Sequence, residues 1–243
     1  DAMNIDLPAP TSALVVVAHP DDAEFQCGAT LAKWANLGTE VNYLICTDGS
    51  KGTWNPNCDQ NQLIQDRERE QRNAAQSLGA TGQIVFLGHT DGELSSDIET
   101  RSEVAFVIRN IQPEVILAHD PWKRYRLHPD HRHAGLLAIE GIVGARDPFF
   151  FQEHGLEPHR PDALLLFEAD EPDHAENVQG WHKAKVDALL EHKSQFETTH
   201  KINGDDDDAA IAKFSAAIAS DLNKNGSMCD LEAAELFKLI TDL

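Results

Sequence analysis

The sequence predicts an α/β fold in a single domain: a doubly wound, Rossmann-like and mostly parallel sheet with helices on both faces. Two observations indicate this fold. Short apolar segments rich in β-branched residues, typical of buried parallel strands, alternate along the chain with longer segments of helical periodicity. The chain has 243 residues, of which 41% are hydrophobic, and this is enough for one sizeable core. The alternation implies parallel strands joined by right-handed helical crossovers.

Five strands are predicted, each followed by a loop and a helix. They cover residues 13–18 (ALVVVA), 41–47 (VNYLICT), 84–88 (IVFLG), 115–120 (VILAHD) and 163–167 (ALLLF). The helices are predicted over residues 24–36, 63–78, 104–111, 131–143 and 178–193. Gly38 and Gly79 follow the first two helices, as is typical of helix C-termini. The domain would span residues 13–243, after an N-terminal extension of residues 1–12 in which Asp1 and Ala2 look like a cloning remnant.

The expected strand order, 3-2-1-4-5, leaves a crevice at the carboxyl ends of the first and fourth strands. Ligands of open α/β sheets bind in this crevice. Two loops rich in histidine and aspartate follow these same two strands. We therefore expect the side chains of the two loops to converge on one site.

Both loops contain candidate metal ligands. The first, HPDD, contains His19, Asp21 and Asp22, and Pro20 stiffens it because its ring fixes φ. The second, RLHPDHRH (residues 126–133), adds four candidates: His128, Asp130, His131 and His133. Imidazole and carboxylate groups bind zinc and iron(II). Two histidines and one carboxylate would satisfy a catalytic zinc ion, which takes three protein ligands and keeps one position for water.

Each loop alone also has a simpler interpretation. HPDD is then a solvated turn at a strand end, and HPDH is a helix N-cap followed by proline in the first turn. Two such loops at the ends of adjacent strands favour the metal site. A carboxylate beside the metal would take a proton from water, and a spare histidine would polarise the substrate carbonyl or protonate the leaving amine.

Six segments of the chain carry a resemblance to a known family. In order, they are VVVAHPDDAEFQCGATLAKWA, CTDGSKGT, REREQRNAAQSLGA, DGEL, DPWKRYRLHPDHRHAG and ALLEHKSQ. Together they resemble the LmbE-like, PIG-L-type family of zinc-dependent de-N-acetylases, from about residue 13 to residue 200. The paired HPDD and HPDH motifs are specific, whereas the intervening segments are individually weak. Ala23 separates Asp22 from Glu24 where some members have HPDDE, a variant common within the family.

The resemblance implies a role for each matching residue. Three would ligate zinc: His19, Asp22 and His131. Asp21 would be the general base that activates the attacking water. His128, with its ring held by Asp130, would stabilise the oxyanion and assist departure of the amine. Spacing alone leaves open which of Asp21 and Asp22 is the base and which is the ligand.

Four residues are predicted to contact the substrate. The resemblance implies that Arg67 and Asp91 hold the sugar or its substituents. The alternatives are a surface ion pair for Arg67 and a plain turn for Asp91, which precedes glycine. Ser50 and Lys51 lie in the glycine-rich loop after the second strand, where they would either contact the substrate or form a turn.

Other polar residues are interpreted as structural. His119, at a buried strand end, and His192, in the EHKSQ segment, belong to this group. His133 would point away from His131 on a helix, so we do not expect it to ligate a metal. Glu24 fits the first turn of a helix, where the helix dipole favours a carboxylate.

The C-terminal segment, residues 205–243, is predicted to be helical and contains a possible calcium loop. Its sequence DLNKNGSMCDLE (residues 221–232) matches the EF-hand pattern, with four residues at ligand positions: Asp221, Asn223, Asn225 and Glu232. Helical patterns flank it on both sides. EF-hands usually occur in pairs, and the sequence has no second one. The alternative is a polar link between two helices.

Charge and composition argue against several classes of protein. The 20 Lys and Arg against 41 Asp and Glu give a net charge of −21, which disfavours nucleic-acid and anionic-membrane partners. No apolar segment approaches the ~20 residues of a membrane span, and the N-terminus lacks signal-peptide features. The four cysteines fit neither a zinc–thiolate site nor a disulfide scaffold, which favours a reduced, cytoplasmic protein. A homo-oligomer is compatible with the sequence.

These observations together predict a zinc-dependent hydrolase, with Fe²⁺ or another divalent ion as the alternative metal. It would remove an N-acetyl or similar N-acyl group from a small amino-sugar conjugate. One alternative is an amide hydrolase that acts on a non-sugar conjugate with the same metal centre. A second alternative is a non-catalytic module that binds a metal or calcium.

Overall fold

The structure is a computed structural model that describes residues 2–243, so Asp1 of the predicted remnant lies outside it. Strands and helices alternate along most of the chain. In order, they are β1 (Asn4–Ile5), β2 (Ser12–Val17), α1 (Asp22–Asn36), β3 (Glu40–Thr47), α2 (Gln60–Leu78), β4 (Ile84–His89), α3 (Ile98–Ile111), β5 (Val115–His119), α4 (Pro129–Arg146), β6 (Ala163–Phe167), β7 (His174–Asn177), α5 (His182–Leu189), α6 (Asp208–Ser227) and β8 (Ala234–Ile240). A 3-10 turn (Lys193–Gln195) and a π-helical turn (Phe196–His200) follow α5.

The eight strands form a sheet in the order β1-β7-β8-β6-β5-β2-β3-β4. The five predicted strands correspond to β2–β6, and their order in the sheet confirms the predicted 3-2-1-4-5. β2 pairs in parallel with both β3 and β5. Among the strands of residues 2–243, β8 alone runs antiparallel to its neighbours, β6 and β7. The sheet is therefore mostly parallel, as predicted.

Helices cover both faces of the sheet. Successive residues of a strand point to opposite faces, and β2 shows this directly. Val15 and Val17 pack in one buried cluster with residues of α1, α2 and α5. Leu14 and Val16 pack in a second cluster with residues of α3 and α4. The two clusters confirm the doubly wound arrangement.

Helix α1 is broken at Cys27, where φ is −148° and ψ is 23°. A buried ion pair binds backbone groups on both sides of the break. Glu235 of β8 accepts a hydrogen bond from the amide of Thr30 at 2.6 Å, and Lys185 of α5 donates one to the carbonyl of Phe25 at 2.8 Å. Lys185 and Glu235 are themselves 2.6 Å apart. The break is thus held by two charged side chains from other elements.

The predicted helix at the C-terminus is wrong. Ala234–Ile240 forms strand β8, which lies between β6 and β7. The segment has helix-forming residues, but pairing with two strands buries it, and such tertiary packing overrides local propensity. The predicted helix over 178–193 is also shortened to α5, because a turn with Gly180 at a φ of 87° precedes it and the chain leaves the helix at Leu189, before the 3-10 turn.

The EF-hand prediction is wrong for the same segment. Helix α6 continues to Ser227, so Asp221, Asn223 and Asn225 lie on a helix two residues apart, where side chains do not face the same side. Glu232 instead accepts a hydrogen bond from Gln179 at 2.6 Å. Gly226, the glycine of the motif, is needed here for a different reason than calcium binding. A Cβ at this position would lie 2.4 Å from the carbonyl oxygen of Leu231.

The N-terminal extension takes part in the sheet. Asn4 and Ile5 form β1 and pair in parallel with His174 and Ala175 of β7. The boundary predicted at residue 13 therefore separates β1 from the rest of the same sheet. Within residues 2–243, the helices all fall short of the length and apolar character that crossing a bilayer requires.

Candidate metal centre and active site

The two loops rich in histidine and aspartate lie at the carboxyl ends of adjacent strands. HPDD joins β2 to α1, and HPDH begins α4 after β5. β2 and β5 pair directly, from Ala13 opposite Val115 to Val16 opposite Ala118. This register places the loops side by side, at the crevice that the strand order predicted.

Three side chains of these loops could hold a metal ion: His19, Asp22 and His131. Their ligand atoms all lie within 4.8 Å of one another. His19 Nδ1 is 3.4 Å from one carboxylate oxygen of Asp22, and His131 Nε2 is 3.5 Å from the other. Two imidazoles and one carboxylate match the protein ligands of a catalytic zinc ion, so the residues present fit this metal.

A carboxylate supports each of the two histidines from the opposite ring nitrogen. Asp130 lies 2.8 Å from His19 Nε2, and Glu168 lies 3.0 Å from His131 Nδ1. Such carboxylate–histidine pairs orient metal ligands and raise their basicity. The prediction that Asp130 holds the ring of His128 is therefore wrong in its details. The carboxylate of Asp130 binds His19, while its backbone amide donates to His128 Nδ1 at 3.2 Å.

Glu168 was missed by the sequence analysis. It follows the last residue of β6, the strand next to β5, and its φ of 54° is left-handed. Its carboxylate also contacts His119 and Arg126. The signal that could have found it is its position, because a carboxylate directly after a buried strand lies at the same sheet edge as the two loops.

The charges around the site favour a cation. Burial disfavours the charged imidazole, yet the carboxylates of Asp130 and Asp22 outweigh burial and raise the pKa of His19 to about 12. Burial likewise opposes the shift of His131, but Asp22 and Glu168 raise its pKa to about 10. The negative field that stabilises a proton on these rings is the field that would attract a divalent ion.

Asp21 is held in an unusual backbone conformation. Its φ of 81° and ψ of −22° are left-handed, and it occupies the N-cap position of α1. Arg67 donates to the carbonyl of Pro20 at 2.7 Å and lies 3.3 Å from the carboxylate of Asp21. Burial raises the pKa of Asp21 to about 6, against the opposing effect of Arg67 and His192. Such a carboxylate is poised to accept a proton near neutral pH.

The four predicted substrate residues divide into two groups. Arg67, Asp91 and Lys51 line one cleft with the candidate ligands His19 and Asp22, whereas Ser50 lines a small adjoining pocket. Arg67 is buried and donates to Gly49 and Pro20, so it is not a surface ion pair. Asp91 accepts a hydrogen bond from the amide of Lys51 at 3.0 Å and lies 3.2 Å from His19.

His128 lies exposed at the rim of the cleft and also caps α4. Its Nδ1 accepts from the amide of Asp130, and Pro129 occupies the first turn, so the N-cap interpretation of HPDH holds alongside the site. The acceptor role of Nδ1 leaves the proton of the neutral ring on Nε2. Burial and the neighbouring charge of His19 lower the pKa of His128. His128 is therefore a neutral imidazole at the rim of the cleft whose Nε2–H can donate a hydrogen bond.

The residues predicted to be structural have specific contacts. His119 accepts from the amide of Ala18 at 3.2 Å and packs against His131, with ring centroids 4.3 Å apart. His133 contacts Ser96 and belongs to none of the possible metal groups in residues 2–243. Glu24 does not simply occupy a first helical turn. It is fully buried and forms an ion pair with His192, which is equally buried.

The cleft is large enough for more than a single small group. Its volume is about 630 Å³, and its walls include Asp21, His128 and Phe25. A second cavity of about 280 Å³ adjoins it and shares Phe25, Gln26 and Asp221 with it. Sites that hold drug-sized ligands have about 300–1,000 Å³.

Comparisons with known proteins agree with this geometry. Residues 14–142 match the family model described as PIG-L, GlcNAc-PI de-N-acetylase. The diacetylchitobiose deacetylase of Thermococcus kodakarensis is 36% identical over 186 residues, which cover 75% of this chain and 69% of that protein. The 1D-myo-inositol 2-acetamido-2-deoxy-alpha-D-glucopyranoside deacetylase of Streptomyces avermitilis is 31% identical, over 58% of this chain and 56% of that one.

A solved structure is similar over nearly the whole chain. It is the N,N'-diacetylchitobiose deacetylase from Pyrococcus horikoshii, complexed with its inhibitor MPG. Its TM-score is 0.85 at 28% identity, and the match covers 96% of this chain and 84% of that one. The family model covers more than half of the chain, and the named relatives are deacetylases. The chain therefore belongs to the PIG-L (GlcNAc-PI de-N-acetylase) family of enzymes.

Proposed function

We propose that the protein removes the N-acetyl group from an N-acetylglucosamine-containing conjugate of about disaccharide size, with a zinc ion held by His19, Asp22 and His131. One observation carries the proposal. Asp21 lies in the cleft beside these ligands, yet it belongs to none of the possible metal groups in residues 2–243. A site that only stores a metal has no use for such a carboxylate, whereas hydrolysis needs a base for water.

The division of roles follows from the positions of the side chains. A bound zinc ion would polarise the amide carbonyl and lower the pKa of a water molecule. Asp21 takes a proton from the water that attacks the carbonyl carbon. His128 Nε2–H donates a hydrogen bond to the oxygen on which negative charge develops. The C–N bond then breaks, and the proton held by Asp21 passes to the amine nitrogen, which gives acetate and the free amino sugar.

The walls of the cleft favour a neutral sugar. Besides the proposed ligand Asp22, the cleft is lined by three aspartates: Asp21, Asp91 and Asp221. It has only two lysine or arginine side chains, Lys51 and Arg67. Carboxylates and amides bind sugar hydroxyls well, whereas an anionic substrate would be repelled. The cleft and the adjoining cavity together leave room for a second ring beyond the acetylated one. The named relatives act on diacetylchitobiose and on an inositol glucoside, both of this size.

Amine release tests the proposal. The zinc-loaded protein is incubated with N,N'-diacetylchitobiose and, separately, with N-acetylglucosamine, and free amine and acetate are measured. We expect equal amounts of amine and acetate, and a higher kcat/KM for the disaccharide. Absence of amine release from every N-acetylglucosamine compound tested would contradict the proposed function. Equal kcat/KM for both substrates would contradict the part of the proposal that concerns size.

A further inference from the structure

We propose that Glu24, Gln71 and His192, here called the Glu24 clamp, are positioning residues that hold the backbone of Asp21 and thereby aim its carboxylate. The proposal rests on the proposed function, in which Asp21 is the base. None of the three residues lines the cleft or belongs to a possible metal group in residues 2–243. They can therefore affect the reaction only through a neighbour.

The contact to Asp21 is made by Gln71. Its Oε1 accepts a hydrogen bond from the backbone amide of Asp21 at 3.0 Å. Asp21 has a left-handed φ of 81°, a conformation that residues other than glycine rarely adopt unless their surroundings impose it. Gln71 is fully buried in α2, so this hydrogen bond is shielded from water.

Glu24 fixes the orientation of the Gln71 amide. Gln71 Nε2 donates to both carboxylate oxygens of Glu24, at 3.0 and 3.1 Å. Rotating the amide by half a turn would place Oε1 against the carboxylate and the NH₂ group against the amide of Asp21. Both contacts would be repulsive, so a charged Glu24 keeps the acceptor aimed at Asp21.

His192 makes a buried charge at Glu24 possible. Both side chains are fully buried, and His192 Nε2 contacts Glu24 Oε1. A carboxylate in such a place needs a partner that is charged or donates hydrogen bonds. His192 comes from the segment after α5, Glu24 from α1 and Gln71 from α2. Residues of three separate segments thus meet behind one backbone amide.

The chain contains a matched pair that lacks the link to the cleft. His174 and Glu176 of β7 are also fully buried and 2.6 Å apart. Glu176 accepts hydrogen bonds from Lys33 and Trp34 rather than from a residue of the site. If buried His–Glu pairs act only on stability, substitutions at Glu24 and Glu176 should have the same effect on catalysis.

The experiment compares Gln71→Met and Glu24→Gln with the control Glu176→Gln, all loaded with zinc. The measurements are metal content, kcat and KM for the best N-acetylated substrate, and hydrogen–deuterium exchange of peptides that contain the Asp21 amide. We expect both clamp variants to keep the metal and KM, to lose roughly 100-fold in kcat, and to exchange faster at Asp21. The control should lose stability without these changes.

Two outcomes would overturn the inference: kcat values of the clamp variants equal to that of Glu176→Gln, or unchanged exchange at Asp21. If Gln71→Met does not fold, Glu24→Gln carries the same test because it keeps the size of the side chain. The exchange measurement does not depend on activity. A wild-type protein without deacetylase activity would thus contradict the proposed function, whereas the exchange data would still decide on the clamp.

Discussion

Glu168 Oε1 lies 3.0 Å from His131 Nδ1, on the side of the ring opposite to the nitrogen that faces Asp22. The carboxylate therefore fixes which nitrogen of His131 is free to bind a metal. Asp130 has the same relationship to His19, whose Nδ1 faces Asp22. The two candidate histidine ligands are thus oriented by one carboxylate that directly follows β6 and another in the first turn of α4.

Glu168→Gln should weaken metal binding. The amide is a poorer acceptor for His131 and removes the charge that raises the basicity of the ring, so we expect the affinity for zinc to fall roughly 10–100-fold. A competition titration with a chromophoric chelator measures this. Glu176→Gln serves as the control, because its buried pair with His174 neither lines the cleft nor belongs to a possible metal group in residues 2–243. Equal zinc affinities for the two variants would show that Glu168 does not support the ligand.

Asp21→Asn should separate metal binding from turnover. The amide keeps the size of the side chain and its place beside Arg67, but it cannot accept a proton from water. We expect an undiminished zinc content and a loss of roughly 10²–10⁴-fold in kcat, the usual contribution of a general base. The same samples are used for metal analysis and for rate measurements. Full activity in this variant would eliminate Asp21 as the base.

Activity should fall as the pH falls through the pKa of Asp21. Burial raises that pKa to about 6, and the base works only in its deprotonated form, so kcat/KM is lost on the acidic side. A bound dication lowers the pKa of a neighbouring carboxylate, which places the midpoint at or below about 6. The measurement is kcat/KM from about pH 4 to 8 with constant zinc occupancy. A rate that rises as the pH decreases below 6 would contradict this assignment.

Ile218→Trp should discriminate between short and long substrates. Ile218 of α6 lines the cavity that adjoins the cleft, and a larger side chain would fill it. We expect a higher KM for N,N'-diacetylchitobiose and an unchanged KM for N-acetylglucosamine. Ile211→Trp is the matched control, because Ile211 lies on the same helix but lines a separate pocket against α5. A parallel change for both substrates would indicate that the cavity does not hold the second ring.

Most of the sheet and the position of the site could be predicted from the sequence. The strands β2–β6 are continuous apolar segments, which is a strong local signal, and their order follows from βαβ topology. β1, β7 and β8 were missed because each is short or has helical periodicity, and each is stabilised by pairing with strands distant in sequence. The EF-hand motif misled because a short sequence match does not reveal whether its residues lie in a loop or, as here, on a helix.

The three residues proposed as metal ligands could be predicted, but their hydrogen-bond partners could not. His19, Asp22 and His131 stand in recurring motifs, and the motifs place them at adjacent strand ends. The resemblance assigned Asp130 to His128 of the same loop, whereas its carboxylate reaches His19 of the other loop. Glu168 has no motif. Its role depends on the exact direction in which the chain leaves β6, which sequence spacing does not specify.

Zinc content measured together with amine release, in wild type and in His131→Ala, tests the central claim most directly. Both quantities are determined on the same samples, before and after treatment with a chelator. The account predicts zinc and N,N'-diacetylchitobiose deacetylation in the wild type, loss of both after chelation, recovery of both when zinc is added, and neither in His131→Ala. Undiminished zinc content in His131→Ala, or deacetylation that persists after complete removal of the metal, would contradict it.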